Sequence, residues 1–214
     1  MFVCAARELL ISINVNQAGA IRVDLVTSVE SAENLLHAAI AAAGGERAAL
    51  AEALEALDAP VYLTDADGNV THYNRACVDF AGRVPQIGSD RWCVTWKLTT
   101  LDGEPLPHEL CPMAVAVKER REVRGAEAFV ERPDGTRRRI VPFPTPLYDA
   151  QGAFAGAINL VIDVTERRRA EELTAQALRC RRLAASIGDH QAGGTLRSMA
   201  DEYDAEAERI RRLN

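Results

Sequence analysis

The sequence has no long apolar run, although 48% of its 214 residues are hydrophobic. A helix that spans a bilayer needs about 20 consecutive apolar residues, and no stretch of the chain approaches that length. The N-terminus has no basic region followed by an uninterrupted apolar core, which a secretory signal peptide requires. We therefore expect a cytoplasmic protein that does not bind membranes.

An excess of positive charge is also absent. The chain has 25 Lys and Arg residues against 31 Asp and Glu residues, which gives a net charge of −6 and a pI near 5.3. A protein that binds nucleic acids or anionic surfaces through its overall field needs the opposite balance. We therefore expect no nucleic-acid partner, although a basic face on a single helix stays open.

Disulfide and catalytic motifs are missing as well. The five cysteines are odd in number, scattered and without CxxC spacing, which is typical of free thiols in a reducing cytoplasm. The chain contains neither a GxxxxGK[ST] phosphate-binding loop nor a GxSxG nucleophile motif. Because no nucleophile and base can be paired from the sequence, we predict that the protein is not an enzyme.

The first 57 residues carry two different patterns. Residues 8–15 and 20–26 are β-like runs around a polar turn, which predicts a hairpin. Apolar residues then recur at helical spacing over residues 28–57, with a break at Gly44 and Gly45. Two interpretations of these helices stay open: they pack against the rest of the chain, or they form a dimerisation helix.

Short strands and short helices follow from residue 60 onwards. Val61–Thr64 and residues 69–73 are predicted strands joined by a polar turn. A short helix comes next, which Asn74 caps and Gly82 ends. Residues 83–106 are predicted to be irregular.

The second half of this region predicts one more helix and three more strands. Pro112 opens the helix, because proline is tolerated in a first turn. Residues 122–131 form a strand, and a turn leads to the returning strand from Arg137. A further turn before Gly152 leads into the final strand.

Three prolines recur at every second position of the strand from Arg137, namely Pro142, Pro144 and Pro146. Alternate N–H groups of a strand point the same way, so these prolines remove donors along one edge only. We therefore predict that the strand loses its hydrogen-bond ladder to one of its two neighbours beyond Val141.

This order of elements resembles the PAS domain family. The resemblance depends on LTDADG at residues 63–68, YNRA at 73–76, RPDGT at 132–136 and the strand 152–162 that leads into Asp163-Val164-Thr165. It implies an α+β fold with a five-stranded antiparallel sheet flanked by short helices. It also implies a sensor, in a family that binds haem, flavins, small acids, other proteins or nothing. The flavin-photosensor run Asn-Cys-Arg-Phe-Leu-Gln has no counterpart, so we expect no light-dependent cysteine adduct.

The final strand runs directly into charged helix formers, with Asp163 and Thr165 at the change. A short polar side chain at such a point can accept a hydrogen bond from the first free N–H groups of the helix. We therefore predict that Asp163 and Thr165 form a signal junction, at which movement of the sheet reaches the trailing helix.

Only helices are predicted beyond residue 165. A two-heptad coiled-coil seam is formed by residues at spacings of four and three, namely Leu173, Ala177, Cys180, Ala184 and Ile187. Residues 188–194 predict a turn, and Thr195 is the predicted cap of the last helix. The result is either a helical hairpin or part of a dimeric bundle. Because apolar stripes flank the domain on both sides, we expect a homodimer.

The predicted ligand pocket is the space between the sheet and the short helices. Ten apolar residues are candidates to line it: Val61, Leu63, Phe80, Trp92, Trp96, Met113, Val117, Phe129, Ile158 and Leu160. We expect most of them to be core and a fraction to enclose a small apolar ligand, which the sequence does not identify.

Metal-ligand chemistry is concentrated in Cys93, His108 and Cys111. The Cys111-Pro112 pair also resembles the Cys-Pro haem-regulatory motif, which makes His108 or Cys111 a candidate haem ligand. Zinc would need a fourth ligand and paired spacings that the chain lacks. We therefore expect these three residues to have a structural role. For the cofactor, the sequence leaves two alternatives, none or haem.

These patterns divide the chain into an N-terminal segment (1–57), a PAS domain (58–165) and a helical hairpin or coiled coil (166–214). We predict a cytoplasmic, dimeric PAS sensor or adaptor in signal transduction. It would relay a ligand- or partner-dependent change through its C-terminal helix to another signalling protein, such as a kinase or regulator. The alternative is a haem-binding redox or gas sensor that uses His108 or Cys111.

Overall fold

The computed structural model of the chain describes residues 14–15, 21–22, 40, 47–55 and 57–213. Strands β1 (Asn14–Val15) and β2 (Ile21–Arg22) pair antiparallel, with Val15 opposite Ile21. This pairing agrees with the predicted hairpin, whose other residues lie outside the described ones. Of the helical pattern predicted for residues 28–46, only Ile40 is described, and it is helical.

The remaining elements are α1 (Arg47–Glu55), β3 (Val61–Thr64), β4 (Val70–Tyr73), α2 (Arg75–Ala81), β5 (Lys97–Thr99), α3 (Pro112–Glu119), β6 (Ala128–Glu131), β7 (Arg137–Tyr148), β8 (Phe154–Asp163), α4 (Thr165–Ser186) and α5 (His190–Leu213). A 3-10 turn, His108–Leu110, precedes α3. As predicted, Asn74 caps α2, Gly82 ends it with a φ of 65°, and Pro112 stands in the first turn of α3. Within the described ranges, no helix is both long enough and apolar enough to span a membrane.

The main sheet is antiparallel and has six strands, in the order β4-β3-β8-β7-β6-β5. This confirms the predicted α+β fold and corrects the predicted number of strands, which was five. The additional strand is β5, which pairs with β6 from Lys97 opposite Glu131 to Thr99 opposite Phe129. A strand of three residues is too short to show a recognisable alternation of polar and apolar residues in the sequence. It is a strand because it pairs with β6.

Strand β7 changes partners at its prolines. Its first residues pair with β6 as far as Ile140, which lies opposite Ala128. From Ile140 to Tyr148, β8 is its pairing partner among the described strands. Proline has no N–H group to donate to the β6 side of the strand. The predicted loss of one ladder beyond Val141 is therefore confirmed.

Buried side chains form two clusters on opposite faces of the sheet. The inner cluster packs α2, α3 and the loop between them onto the sheet and includes Tyr62, Phe80, Val94, Met113 and Val161. The outer cluster packs α1 onto the other face and includes Leu50, Leu54, Leu63, Phe143 and Leu160. Strand β3 shows the alternation directly, since Tyr62 faces the inner cluster while Val61 and Leu63 face the outer one.

Asn74 fixes α1 to the sheet in addition to capping α2. Its side chain is fully buried, and its Oδ1 accepts hydrogen bonds from the backbone N–H groups of Val61 (3.1 Å) and Cys77 (3.3 Å). Its Nδ2 donates to the carbonyl oxygens of Leu54, Leu57 and Ala59 at 2.8–3.2 Å. One amide side chain therefore connects the end of α1 with β3 and α2.

Helices α4 and α5 form a hairpin through small residues. The buried positions on α4 are Ala170, Ala177 and Ala184, and those on α5 are Gly193, Ala200, Ala207 and Ile210. Small side chains let the two helix axes approach closely. Ala177 and Ala184 of the predicted coiled-coil seam are therefore covered within the chain, whereas Ile187 is exposed.

The start of α5 differs from the prediction. The helix begins at His190, whereas we expected a turn through residue 194 and a cap at Thr195. Asp189 supplies the cap, because its Oδ1 accepts hydrogen bonds from the N–H groups of Gln191 (2.7 Å) and Ala192 (3.1 Å). Thr195 lies inside the helix and donates its hydroxyl to the Gln191 oxygen.

Candidate functional site

An inner cavity lies between the sheet and helices α2 and α3. Its lining includes Tyr62, Phe80, Cys93, Cys111, Met113 and Asn159, and its volume is about 20 Å³. A cavity must reach about 10–15 Å³ to hold one water molecule, so this space is close to the size of one water. An organic ligand can enter only if the surrounding side chains move apart.

Polar groups in the wall of the cavity form a hydrogen-bonded chain. The Tyr62 hydroxyl donates to the backbone oxygen of Trp92 (3.0 Å) and accepts from Asn159 Nδ2 (3.0 Å). Asn159 Oδ1 accepts from the backbone N–H of Phe143 (3.0 Å). Burial raises the pKa of Tyr62 well above its ordinary value, so the hydroxyl keeps its proton. These hydrogen bonds connect the loop before β5 with strands β3, β8 and β7.

The structure divides the ten predicted pocket residues among several places. Phe80 and Met113 line the inner cavity. Four others lie in the outer cluster, on the face away from the short helices: Val61, Leu63, Ile158 and Leu160. Successive residues of a strand face opposite sides of the sheet. Whether a residue lies at an odd or an even position along the strand therefore decides which face its side chain occupies.

The other four predicted pocket residues do not line the inner cavity. Trp92 and Val117 are buried in the inner cluster and also line a separate groove on the outside of the domain. Trp96 is 51% exposed. Phe129 lies beneath the guanidinium groups of Arg137 and Arg139, whose Cζ atoms are 4.6 and 5.9 Å from the ring centre. Whether any of the ten encloses a ligand stays a prediction.

Sequence reasoning did not select Tyr62 and Asn159, two polar residues of the cavity wall. A signal for Asn159 exists, since it is an amide within the apolar run of β8. A buried amide is costly unless it is hydrogen-bonded, so such a residue indicates a specific polar contact. Tyr62 gives no comparable signal, because aromatic residues are common in strands.

Cys93 and Cys111 meet at one side of the cavity. The hydrogen bond between the two thiols lowers the pKa of Cys93 and raises that of Cys111. Cys93 Sγ also lies 3.0 Å from Thr95 Oγ1, and this contact lowers the pKa of Cys93 further. Cys111 Sγ accepts from the Ala114 N–H (3.5 Å) at the start of α3. The two thiols therefore join the irregular loop to a helix cap.

The geometry of this group does not fit haem or zinc. In the part of the chain that the structure describes, no three His, Cys, Asp or Glu side chains are placed to hold a metal ion. The adjoining cavity of about 20 Å³ has no space for a macrocycle. The thiol of Cys111 already caps a helix.

The predicted junction is held by hydrogen bonds to its own backbone and to β7. Asp163 Oδ1 accepts from the Thr165 N–H (2.9 Å) and from its hydroxyl (2.5 Å). Thr165 Oγ1 accepts from the Arg139 N–H (2.8 Å), and Arg138 forms an ion pair with Asp163. The N-cap position itself is Val164, which makes no side-chain cap. Asp163, one residue earlier, bonds the first N–H of α4.

An ionic cluster joins the first turns of α4 to the sheet. Glu127 accepts from Arg139 Nε (2.7 Å) and forms an ion pair with Arg168 of α4. Arg139 also pairs with Glu172 at 3.0 Å. Burial alone would raise the pKa of Glu127, but the hydrogen bonds from Arg168 and Arg139 outweigh it and lower that pKa.

Comparison with known proteins identifies the family. A family profile described as the PAS fold matches residues 54–169, which is more than half of the chain. The chain therefore belongs to the PAS family, as its sequence predicted. This is the fold of a signalling sensor, and domains of this kind are typically sensory and not catalytic.

Several solved structures resemble the chain at low sequence identity. The PAS domain of a protein from Colwellia psychrerythraea is 18% identical, with a TM-score of 0.37 over 54% of this chain and 94% of its own. The PAS domain of BvgS from Bordetella pertussis is 20% identical, with a TM-score of 0.37 over 56% and 85%. A light-oxygen-voltage domain studied with a flavin analogue is 13% identical, with a TM-score of 0.44 over 58% and 90%. No curated protein matches the chain.

Proposed function

We propose that the protein is a cytoplasmic sensor or adaptor that relays a ligand- or partner-dependent change through α4 to another signalling protein, such as a kinase or regulator. One observation carries the proposal: β8 continues into α4 at a point where Asp163 and Thr165 are hydrogen-bonded to each other and to β7. Because the first residues of α4 are held by the sheet, a shift of β8 or β7 moves the start of the helix.

The inner cavity is the input side of this proposal. Asn159 lies in its wall and on β8, the strand that ends at Asp163. The cavity is too small for an organic ligand unless its wall moves. Entry of a ligand, or binding of a partner that separates α3 from the sheet, would therefore act on Tyr62 and Asn159 first.

The output side is the α4 and α5 hairpin, which we propose to be the dimer interface. Leu178, Leu183 and Ile187 are 45–55% exposed on this hairpin. Burying such a side chain completely contributes roughly 1.5–3 kcal/mol, so these half-exposed residues would gain part of that in a dimer. The leucines of α1 do not support the same interface, because Leu50 and Leu54 are already buried against the sheet.

We propose a division of the chain that takes the packing into account. The first residue of α4 is Thr165, the last residue of the predicted PAS domain. Helix α1 precedes residue 58 but packs on the outer face of the sheet, and we therefore propose to include it in the PAS unit. We propose that residues 166–214 form the relay segment.

A hydrogen-exchange experiment tests the relay. Replacing Asp163 and Thr165 together with alanine removes the bonds that hold the first turn of α4. We expect the domain to stay folded and amide exchange to become faster from residue 166 to about residue 178, because local opening of the helix becomes easier.

The matched control is the double variant Asp134→Ala with Thr136→Ala. These residues make the same pair of bonds in the turn between β6 and β7, where Asp134 Oδ1 accepts from the Thr136 N–H (2.8 Å) and hydroxyl (2.7 Å). This control should leave exchange in α4 unchanged. Equal exchange in α4 for both double variants and the wild type would show that the junction is only a connector.

A further inference from the structure

A second concave site lies on the outside of the domain, and it shares no lining residue with the inner cavity. This groove runs between the turn after β3, the end of α3 and the turn before β8, and has a volume of about 660 Å³. Small-molecule sites typically measure about 300–1,000 Å³. The groove is therefore large enough for a small organic ligand without rearrangement.

Three cations line the groove: Arg91, Lys118 and Arg120. Asp67 is the one carboxylate among its lining residues. Arg91 Nε donates to the Asp67 backbone oxygen (2.8 Å), and Lys118 Nζ donates to the Glu109 backbone oxygen. Among the described residues, none of the three cations forms an ion pair with a carboxylate. On a chain of net charge −6, this is a local concentration of uncompensated positive charge.

Aromatic rings hold these cations in place. Arg91 Cζ and Lys118 Nζ lie 4.5 and 5.2 Å from the centre of the Trp92 ring. Arg120 Cζ lies 5.3 Å from the centre of the Phe154 ring. Such cation–π contacts fix the position of a charge without neutralising it. The neighbouring Tyr148 ring is 50% exposed and meets Phe154 edge to face.

Backbone strain is concentrated at the same place. Trp92 (φ 68°) and Arg120 (φ 54°) are the non-glycine residues with positive φ in the described chain, and both line the groove. Gly68 accommodates the Trp92 ring, since a Cβ there would lie 2.0 Å from Trp92 Cζ3. Residues held in such strained conformations cluster at active sites and ligand-binding sites.

The helix dipole explains only part of this arrangement. Lys118 stands in the last turn of α3, where a cation is favourable next to the negative helix end. Arg120 is the residue that ends α3 in the left-handed conformation, a position at which glycine is far less strained. Arg91 belongs to a different segment altogether. Two of the three cations therefore need another explanation.

We propose that this groove binds a small phosphorylated ligand with a planar ring, the chemical class of the nucleotides. The two guanidinium groups and the ammonium group would bind the phosphate, because the planar fork of arginine matches phosphate oxygens in pairs. The exposed face of Tyr148 would stack on the ring. Trp92 would connect this ligand to the inner cavity of the proposed sensor, because its backbone oxygen accepts a hydrogen bond from the Tyr62 hydroxyl.

Binding to the full chain tests the proposal in three arms: inorganic pyrophosphate, ADP and adenosine, measured by calorimetry. We expect ADP to bind most tightly, pyrophosphate more weakly and adenosine least, with affinity falling as salt increases. In a Trp96→Phe background, Trp92 is the remaining tryptophan, so pyrophosphate should change its fluorescence directly.

Arg91→Gln and Arg120→Asn should each weaken ADP binding roughly tenfold, since each removes charged hydrogen bonds. Asparagine tolerates the left-handed conformation of Arg120, which keeps the fold intact. The matched control is Lys97→Gln on β5, where Lys97 pairs with Glu131 outside the groove, and it should leave ADP binding unchanged. Arg120→Gly should raise the melting temperature while weakening binding, because it removes both strain and charge.

Two results would overturn the proposal. One is the absence of pyrophosphate and ADP binding to the wild type at millimolar concentration. The other is binding that is equally strong in Arg91→Gln, Arg120→Asn and the Lys97→Gln control, which would locate the ligand elsewhere. Neither result bears on the junction at Asp163 and Thr165, so the relay proposal is tested separately.

Discussion

Replacing Asn74 should destabilise the domain far more than the loss of a helix cap would. In the Asn74→Ala variant, α2 loses the cap at Cys77, which contributes about 0.5–2 kcal/mol. The Val61 N–H also loses its buried partner, and an unsatisfied buried group costs about 1–3 kcal/mol. The sum is about 1.5–5 kcal/mol, a substantial part of the roughly 5–15 kcal/mol that stabilises a typical domain.

Urea denaturation followed by circular dichroism measures this loss. Asn74→Asp separates the two roles of the side chain. A carboxylate still accepts from Val61 and Cys77, but it presents a second oxygen to the carbonyl oxygens at and just after the end of α1. We expect Asn74→Asp to be at least as destabilising as Asn74→Ala. Asn69→Ala is the control, since it removes one partly exposed side-chain bond, to Asp65. A loss below about 1 kcal/mol for Asn74→Ala, or near-native stability of Asn74→Asp, would show that Asn74 does not hold α1 to the sheet.

Three further results are expected. Leu178→Glu with Leu183→Glu should give a monomer by light scattering at a concentration at which the wild type and the Gln176→Glu control are dimers; a monomeric wild type would contradict the interface. Cys111→Ser should melt above Cys111→Ala, because serine keeps a capping oxygen; stoichiometric iron or zinc in the wild type but not in Cys111→Ala would contradict the structural role. Glu127→Gln should be less stable than the wild type at neutral pH, and denaturation should show the difference shrinking as the pH falls below 4.5, because stability from a lowered carboxyl pKa is lost on protonation; a difference that persists at low pH would contradict the ion-pair explanation.

Local chemistry made much of the fold predictable. Asn74 and Gly82 mark the two ends of α2 through cap and left-handed geometry, which depend only on nearby residues. The prolines of β7 predicted the loss of its hydrogen-bond ladder to one neighbouring strand for the same reason. Features decided by distant partners were not predictable. Strand β5 exists because β6 lies beside it, and Asp189 caps α5 at a point where two later glycines suggested a turn.

The candidate site was predictable only in outline. The sequence located it between the sheet and the short helices, where the inner cavity lies. It did not determine which face of the sheet each apolar residue of β3 and β8 occupies, because both faces of these strands are buried and the alternation of polar and apolar residues is lost. The groove cations come from two separate parts of the chain, Arg91 before β5 and both Lys118 and Arg120 at the end of α3, which only the folded structure brings together.

In the proposed relay, the inner cavity and α4 are coupled through the sheet. A double-mutant cycle measures this coupling, with hydrogen exchange of residues 166–178 as the readout. Tyr62→Phe removes the hydroxyl that bridges Trp92 and Asn159, and Asp163→Ala with Thr165→Ala removes the junction. We predict that Tyr62→Phe speeds exchange in α4 when the junction is intact and has little further effect once the junction is removed. Exchange in α4 that is unaffected by Tyr62→Phe, or effects of the two changes that simply add, would contradict the coupling.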